Sequence, residues 1–474
     1  MPRFPSIASL KPASKFRDHV SELGLDLEID DEIIAAAESP LASPIESKSG
    51  TIGNRFSILP MEGWDGTSAG HPTDLTIRRW KNFGASGAKL IWGGEAIAVR
   101  ADGRANPNQL MITDDNPEHV AGLFETLKKA HVEAMSRDDD LVVGLQLTHS
   151  GRFARPTVKS RLESLVAYRH CVLDARSAEA DYFQVISDED IQDLIRCYVR
   201  AAKVAEQAGF QFVDIKHCHG YFGHELLSGY DRQGPYGGSF ENRTRFLREI
   251  VEGVGSATNL QIGVRISIFD FSPYKPGEER IGCPEAAANY PYAFGGTEDG
   301  KIDLEEPMKL MELFEELGIE LVCTTAGSPY YNPHIQRPAS FPPSEGYLPP
   351  EDPLVGVERQ IEATAELKKA FPNLIFVGSG YTYLQDWLPH AAQHVVRSGK
   401  VDSVGLGRMV LSYPELPRDV LHDGEMKRKK ICRTFSDCTT APRNGMISGC
   451  FPLDEFYKSM PERKQLVELK KQLS

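Results

Sequence analysis

The densest chemistry in this 474-residue sequence is the run Lys216-His217-Cys218-His219-Gly220-Tyr221. An ammonium, imidazoles and a phenol this close together can hold a developing oxyanion and move a proton. Gln146, Arg265 and Glu62 stand at or beside apolar runs. An arginine inside such a run is costly unless it meets an anion or an acceptor. Two glycine turns complete the set, Gly378-Ser379-Gly380 and Gly405-Leu406-Gly407-Arg408. Free backbone N–H groups at a helix start favour an anion, glycine lets the backbone approach it, and Arg408 offers a fork to phosphate oxygens. Together these residues describe an enzyme that holds a phosphorylated cofactor or substrate beside a Lys/His/Tyr cluster.

Positioning them falls to eight short apolar runs: Phe56–Pro60, Lys89–Ala96, Leu141–Leu147, Phe212–Lys216, Gln261–Ser267, Glu320–Thr325, Leu374–Gly378 and Ser403–Leu406. Most lack polar alternation, as parallel strands buried on both faces do. Helical stretches fall between them at Asp74–Phe83, Pro117–Met135, Ser187–Gln207, Phe240–Val254, Leu304–Leu317, Val357–Phe371 and Leu384–Arg397. Their apolar residues recur at three-to-four spacing, with start signals at Asp114/Asn116 and Ser187. Strand–helix alternation of this length predicts an α/β fold, a (β/α)8 TIM barrel. The rival doubly wound sheet lacks its glycine fingerprint after the first strand. Helix-to-strand links are short (Ala208–Gln211, Gly318–Ile319), whereas Thr148–Ile186, His217–Ser239, Ile268–Asp303 and Ala326–Gly356 are long. In a barrel the long links share the C-terminal face, where active sites are built. Tyr330 and Tyr331, followed by His334, sit where they could wall a substrate pocket.

Three parts are expected: an N-terminal extension (1–54), the barrel (55–417) and a cysteine-bearing helical tail (418–474). Within the extension, Asp26–Glu38 reads as a short helix and Ser39–Ser49 as a Pro/Ser-rich linker. The tail carries the basic run Lys427–Lys430 and an amphipathic helix near Pro461–Leu473. A net charge of −14 argues against nucleic acid as partner. No apolar run reaches the ~20 residues of a membrane span, Met1–Val20 lacks a signal-peptide core, and the eight cysteines are scattered. The expected protein is cytoplasmic, acts on a small molecule, has no membrane partner, and is free to form a homo-oligomer.

Tyr236-Gly237-Gly238-Ser239-Phe240-Glu241-Asn242-Arg243, with Arg245-Phe246-Leu247, resembles the YGGSxENRxRF signature of Old Yellow Enzyme-like NADH:flavin oxidoreductases. Asn54-Arg55-Phe56 to Met61, Pro72-Thr73-Asp74-Leu75, Asp102-Gly103-Arg104, Gln146-Leu147 with His149-Ser150-Gly151-Arg152, Val404 to Arg408 and Pro414-Glu415-Leu416 match in the family's order. The resemblance implies a (β/α)8 barrel with FMN at the strand C-termini and NAD(P)H as electron donor. Pro60, Met61, Glu62 and Ala96 would then lie by the isoalloxazine, and Gln146 would bond its pyrimidine edge. Arg265 would stabilise the reduced flavin's anion, while Gly378, Ser379, Gly380, Gly407 and Arg408 would hold the phosphate. Lys216 and His219 would grip a substrate carbonyl and Tyr221 would protonate the α-carbon, as in an ene-reductase.

Two positions depart from the family pattern. Lys216 replaces the usual histidine, and Glu62 stands where relatives have a small group. Glu62 is expected either to pair with Lys216 over the flavin and tune its potential, or to turn away into loop contacts. Larger relatives carry a four-cysteine iron–sulfur motif after the barrel; here Cys432, Cys438 and Cys450 are spaced C-x5-C-x11-C with Phe435 at the second ligand position. No cluster or other metal is expected. Three alternatives stay open: a dehydrogenase or oxidase that desaturates its substrate, a lyase using Lys216 as a Schiff base, and a non-catalytic phosphate-ligand barrel.

Overall fold

Val, Ile, Leu and Phe in unbroken runs can bury both faces of a strand, and such strands must pair with one another under helices. The computed structural model describes residues 4–113, 117–176, 182–285, 293–344 and 346–473. Its eight parallel strands are β1 (Phe56–Ile58), β2 (Leu90–Ile91), β3 (Val142–Thr148), β4 (Phe212–Ile215), β5 (Gln261–Ser267), β6 (Leu321–Thr325), β7 (Ile375–Gly378) and β8 (Ser403–Leu406). Each pairs with the next, and β8 closes on β1 with Val404 opposite Phe56. Around the barrel lie α1 (Asp74–Gly84), α2 (Pro117–Met135), α3 (Asp188–Ala208), α4 (Phe240–Ala257), α5 (Glu305–Glu316), α6 (Pro353–Ala370), α7 (Leu388–Arg397) and α8 (Leu416–Asp423). The Ser187 hydroxyl accepts from the Asp190 N–H at 3.1 Å and caps α3. The other expected cap, Asp114/Asn116, lies outside the described residues.

The second strand differs from its expected span. It spans only Leu90–Ile91, and the chain turns at Gly94, whose φ of +54° and 2.6 Å Cβ approach to the Trp80 ring call for glycine. The chain then resumes as Ala96–Ala98, which pairs with β3 and sets Ala96 opposite Gln146. A break that looks like lost regularity therefore brings two candidate flavin contacts together.

Inside the barrel, Trp92 and Phe212 meet edge-on at 5.3 Å. Ile45 and Ile52 join that interior cluster from a hairpin of Ile45–Ser47 and Gly50–Ile52. The expected linker Ser39–Ser49 is thus partly strand, and its apolar residues stopper the barrel. Asp26–Glu38 is not a helix beyond the single turn Ala36–Glu38. Its Asp30 instead reaches across to α7, where the carboxylate takes Arg397 and the backbone N–H bonds the His390 carbonyl. The extension's helix lies earlier, at Ala13–Glu22, with Phe16 packed 5.5 Å from Trp387. α6 begins at Pro353, earlier than expected, because Asp352 caps it. α7 begins later, since Tyr381–Trp387 winds as a tighter turn broken at Gln385. The tail helix forms at Glu462–Leu473, and Arg78 on α1 ties the tail down through Asp454 at 2.9 Å.

Candidate active site

At the C-terminal ends of the strands a cavity of about 660 Å3 opens. It is lined by Pro60, Met61 and Glu62 after β1, Ala96, Gln146 from β3, Lys216, His219 and Tyr221 after β4, and Arg265 from β5. Tyr330, Ser379, Gly380, Gly407 and Arg408 complete the part legible in the sequence. Three named residues stand outside this lining; one is His334, whose ring Nδ1 lies 2.6 Å from the Tyr347 hydroxyl. Gly378 ends β7 inside the barrel wall, where a Cβ would meet the Tyr381 hydroxyl at 2.7 Å. Tyr331 is turned away because its hydroxyl donates to the buried Asp270 carboxylate at 2.5 Å.

The floor is organised by a residue that sequence reading passed over. Asp214, wholly buried in β4, accepts from Trp92 Nε1 at 2.7 Å, Gln146 Nε2 at 2.5 Å and the Arg265 backbone N–H at 2.7 Å. Burial pushes its carboxyl up to about 6, against the pull of those donors. Its only signal was an acid inside the apolar run Phe212–Lys216. Because Gln146 spends its N–H on Asp214, Oε1 remains as a buried acceptor with no protein partner. Arg265 Nε and Arg408 Nη1 are likewise buried and unpartnered. Unmet buried groups are rare in proteins, and together these form an acceptor and two cationic donors awaiting a ligand. At the far end Gly380 takes φ +94°, which favours glycine, and a Cβ on Gly407 would meet nothing within 4 Å. Arg337, also unanticipated, adds a half-buried guanidinium there; desolvation first, then Arg443 and Arg408, lower it to about 9. This donor set fits a flavin mononucleotide: an acceptor and a cation for the ring edge, arginines and open backbone for the phosphate.

Above the floor, Lys216 Nζ sits 3.8 Å from the Tyr221 ring centroid and 3.9 Å from the Glu62 carboxylate. Glu62 has a closer partner, because the Tyr221 hydroxyl donates to it. The Tyr330 hydroxyl lies 2.8 Å from that of Tyr221. Burial, then Glu62 and Tyr330, raise Tyr221 well above the usual phenol range, so it keeps its proton at neutral pH. Burial, then the Arg265 and Lys216 charges, hold His219 well below the usual imidazole range, so its ring is neutral. Burial also lowers Lys216. The tail is part of this site, since Cys438, Arg443, Cys450 and Tyr457 line the cavity.

A model of the NADH:flavin oxidoreductase / NADH oxidase family matches residues 40–291, over half of the chain. The chain belongs to this family. It is therefore a flavin-dependent oxidoreductase with FMN as cofactor and a reduced nicotinamide as donor. An NADPH dehydrogenase of Geobacillus sp. (strain WCH70) is 27% identical over 389 residues, covering 80% of this chain and 93% of that protein. Among solved structures, a 2-naphthoyl-CoA reductase complex aligns with TM-score 0.66 at 16% identity. That alignment covers 88% of this chain and only 57% of the other. The Old Yellow Enzyme homologue of Zymomonas mobilis aligns with TM-score 0.54 at 21% identity, covering 80% and 91%. Both share the fold. Among the described residues no group of three or more His, Cys, Asp or Glu side chains is placed to hold a metal ion, and no helix is long and apolar enough to cross a membrane.

Proposed function

We propose that this flavin oxidoreductase exchanges hydride with the β-carbon of a conjugated carbonyl compound, as an ene-reductase does. The observation that carries the reading is that Lys216, His219 and Tyr221 share one cavity with Gln146 and Arg265. When bound, FMN supplies the hydride chemistry. Gln146 Oε1 would accept from the pyrimidine edge, Arg265 would favour the anionic reduced ring, and Ser379, Gly380, Gly407, Arg408 and Arg337 would hold the phosphate. Lys216 and the neutral His219 grip the substrate carbonyl oxygen, which draws electrons from the alkene and stabilises the enolate. Tyr221, a phenol that stays protonated, supplies the α-proton, and Tyr330 is placed to restore it. A Schiff base on Lys216 would leave the unpaired groups of Gln146 and Arg265 without purpose. The name of the Geobacillus relative favours NADPH as donor.

A second reading runs the site toward desaturation, and the Tyr221–Glu62 hydrogen bond favours it. With Glu62 as acceptor, Tyr221 can take the α-proton while passing its own to the carboxylate. Anaerobic half-reactions test both readings. NADPH should bleach the bound flavin and 2-cyclohexenone should restore its colour. Tyr221→Phe should slow the second step about a hundredfold or more and leave the first intact. Bleaching by a saturated ketone alone would give the desaturation reading instead.

A further inference from the structure

The cavity is far more cationic than a flavin requires, in a chain whose net charge is −14. Four of its lining arginines are neutralised: Arg78 by Asp454, Arg79 by Asp65 and Glu95, Arg152 by Asp174 and Glu225, Arg176 by Glu285. The flavin, on the reading above, takes Arg265, Arg337 and Arg408. Arg443 gives an N–H to the Pro329 carbonyl at 3.0 Å, while Arg155 and Lys159, from the long link after β3, are used neither by these ion pairs nor by the flavin. Among the described residues neither has a carboxylate within 4 Å. Arg155 Nη1 reaches only the Phe153 carbonyl, at 3.4 Å, and Lys159 Nζ only that of Gly445, at 3.3 Å. Glu62 is the one acid among the described lining residues, and it holds Tyr221. Two part-buried cations on one cavity lining, each with only a neutral acceptor in hydrogen-bond reach, give the cavity a positive field that an anionic group meets favourably.

Their place suggests where that anion sits. Tyr330 touches Tyr221 through its hydroxyl, stacks on Phe153 at 4.2 Å, and has the Arg155 guanidinium 6.0 Å and that of Arg443 5.6 Å from its ring centroid. From the proton-donating phenol outward, the wall is thus one aromatic ring deep and ends in positive charge. We infer that the substrate is an aromatic or similarly flat conjugated carbonyl compound bearing a carboxylate, which Arg155 binds about one ring's length from the reacting carbons, with Lys159 on the lining of the same cavity adding to the positive field. The inference rests on the proposed enone reaction and adds the substrate's charge to it.

The test uses FMN-loaded enzyme with benzylideneacetone and its 4-carboxy derivative, a matched pair differing in one charge. In anaerobic reoxidation of the reduced flavin, the carboxylate compound should half-saturate at a concentration about tenfold lower, the size of one charge-assisted hydrogen bond. In R155Q/K159Q that ratio should fall to about one, and added salt should erode it in the parent enzyme. Equal half-saturation in the parent, or a preference that survives the double variant, would overturn the inference. Should neither compound be turned over, the enone reading fails. The dissociation constants of the pair from oxidised holoenzyme, read from the flavin spectrum, then still decide the charge preference.

Discussion

At the residue scale the site rests on two carboxylates with opposite duties. Asp214 is a positioning residue, fixing which end of the Gln146 amide faces the cavity. In Asp214→Asn one side-chain oxygen becomes an N–H facing a donor, so Gln146 turns over or a donor is left unmet. FMN should bind about tenfold more weakly, with the loss visible as flavin released on gel filtration; unchanged affinity would remove Asp214 from the account. Glu62 acts on Tyr221 by charge. Because Glu62 contributes to raising the phenol, Glu62→Gln should lower it. The alkaline limb of enone-driven reoxidation then moves about one unit or more to lower pH. A carboxylate beside the flavin also disfavours its reduced form, so the same variant should raise the midpoint potential by tens of millivolts, ~30 mV for each 1.4 kcal/mol of repulsion removed. His219 gives the complementary expectation. Its proton affinity is depressed, so it stays neutral below the ordinary imidazole range, and substrate-driven reoxidation should show no histidine limb between about pH 6 and 8.

At the element scale the barrel was legible because its strands are buried on both faces and read as continuous apolar runs. Gln261–Ser267 and Ser403–Leu406 were read to the residue. The misreadings share a physical cause: tertiary partners overrode local pattern. Lys89–Ala96 reads as one strand, but the chain turns at Gly94, where the Trp80 ring of α1 leaves no room for a side chain. Asp26–Glu38 has helical composition, but its Asp30 and Glu28 pair with Arg397 and His394 of α7. Among candidate site residues, those at strand ends were visible from position alone. Asp214 was hidden by its apolar neighbours, and Arg155, Lys159 and Arg337 lie in long links with no periodicity to place them. One element-scale test concerns the turn after β7. Gly380→Ala must hold φ +94° against steric cost and press on Gln360 at 3.3 Å. The expected loss is about 1 kcal/mol of stability, with weaker FMN retention. A variant as stable and as yellow as the parent would contradict the turn's assigned role.

At the scale of the whole molecule, the flanking parts are working surfaces. The N-terminal hairpin fills the closed end of the barrel, and the tail contributes Cys438, Arg443, Cys450 and Tyr457 to the open end. Arg78 clamps that tail, bonding Asp454 and lying 4.3 Å from the Phe456 ring centroid. Arg78→Ala should make residues 455–473 several-fold more sensitive to limited proteolysis while the barrel stays intact; an unchanged digestion pattern would show that the tail is held by other contacts.

The central claim, hydride to the β-carbon and a Tyr221-derived proton to the α-carbon, is tested most directly by where solvent hydrogen ends up. With FMN-loaded enzyme, unlabelled NADPH and benzylideneacetone in deuterated water, nuclear magnetic resonance of the saturated ketone should show one deuterium at the α-carbon, after correction for exchange of the isolated product, with label at the β-carbon only to the extent that the reduced flavin's N–H exchanges with solvent before transfer. Tyr221→Phe should form that product about a hundredfold more slowly or worse. A saturated ketone with no deuterium at the α-carbon, or no reduction together with borohydride trapping of the carbonyl compound on Lys216, would contradict the account.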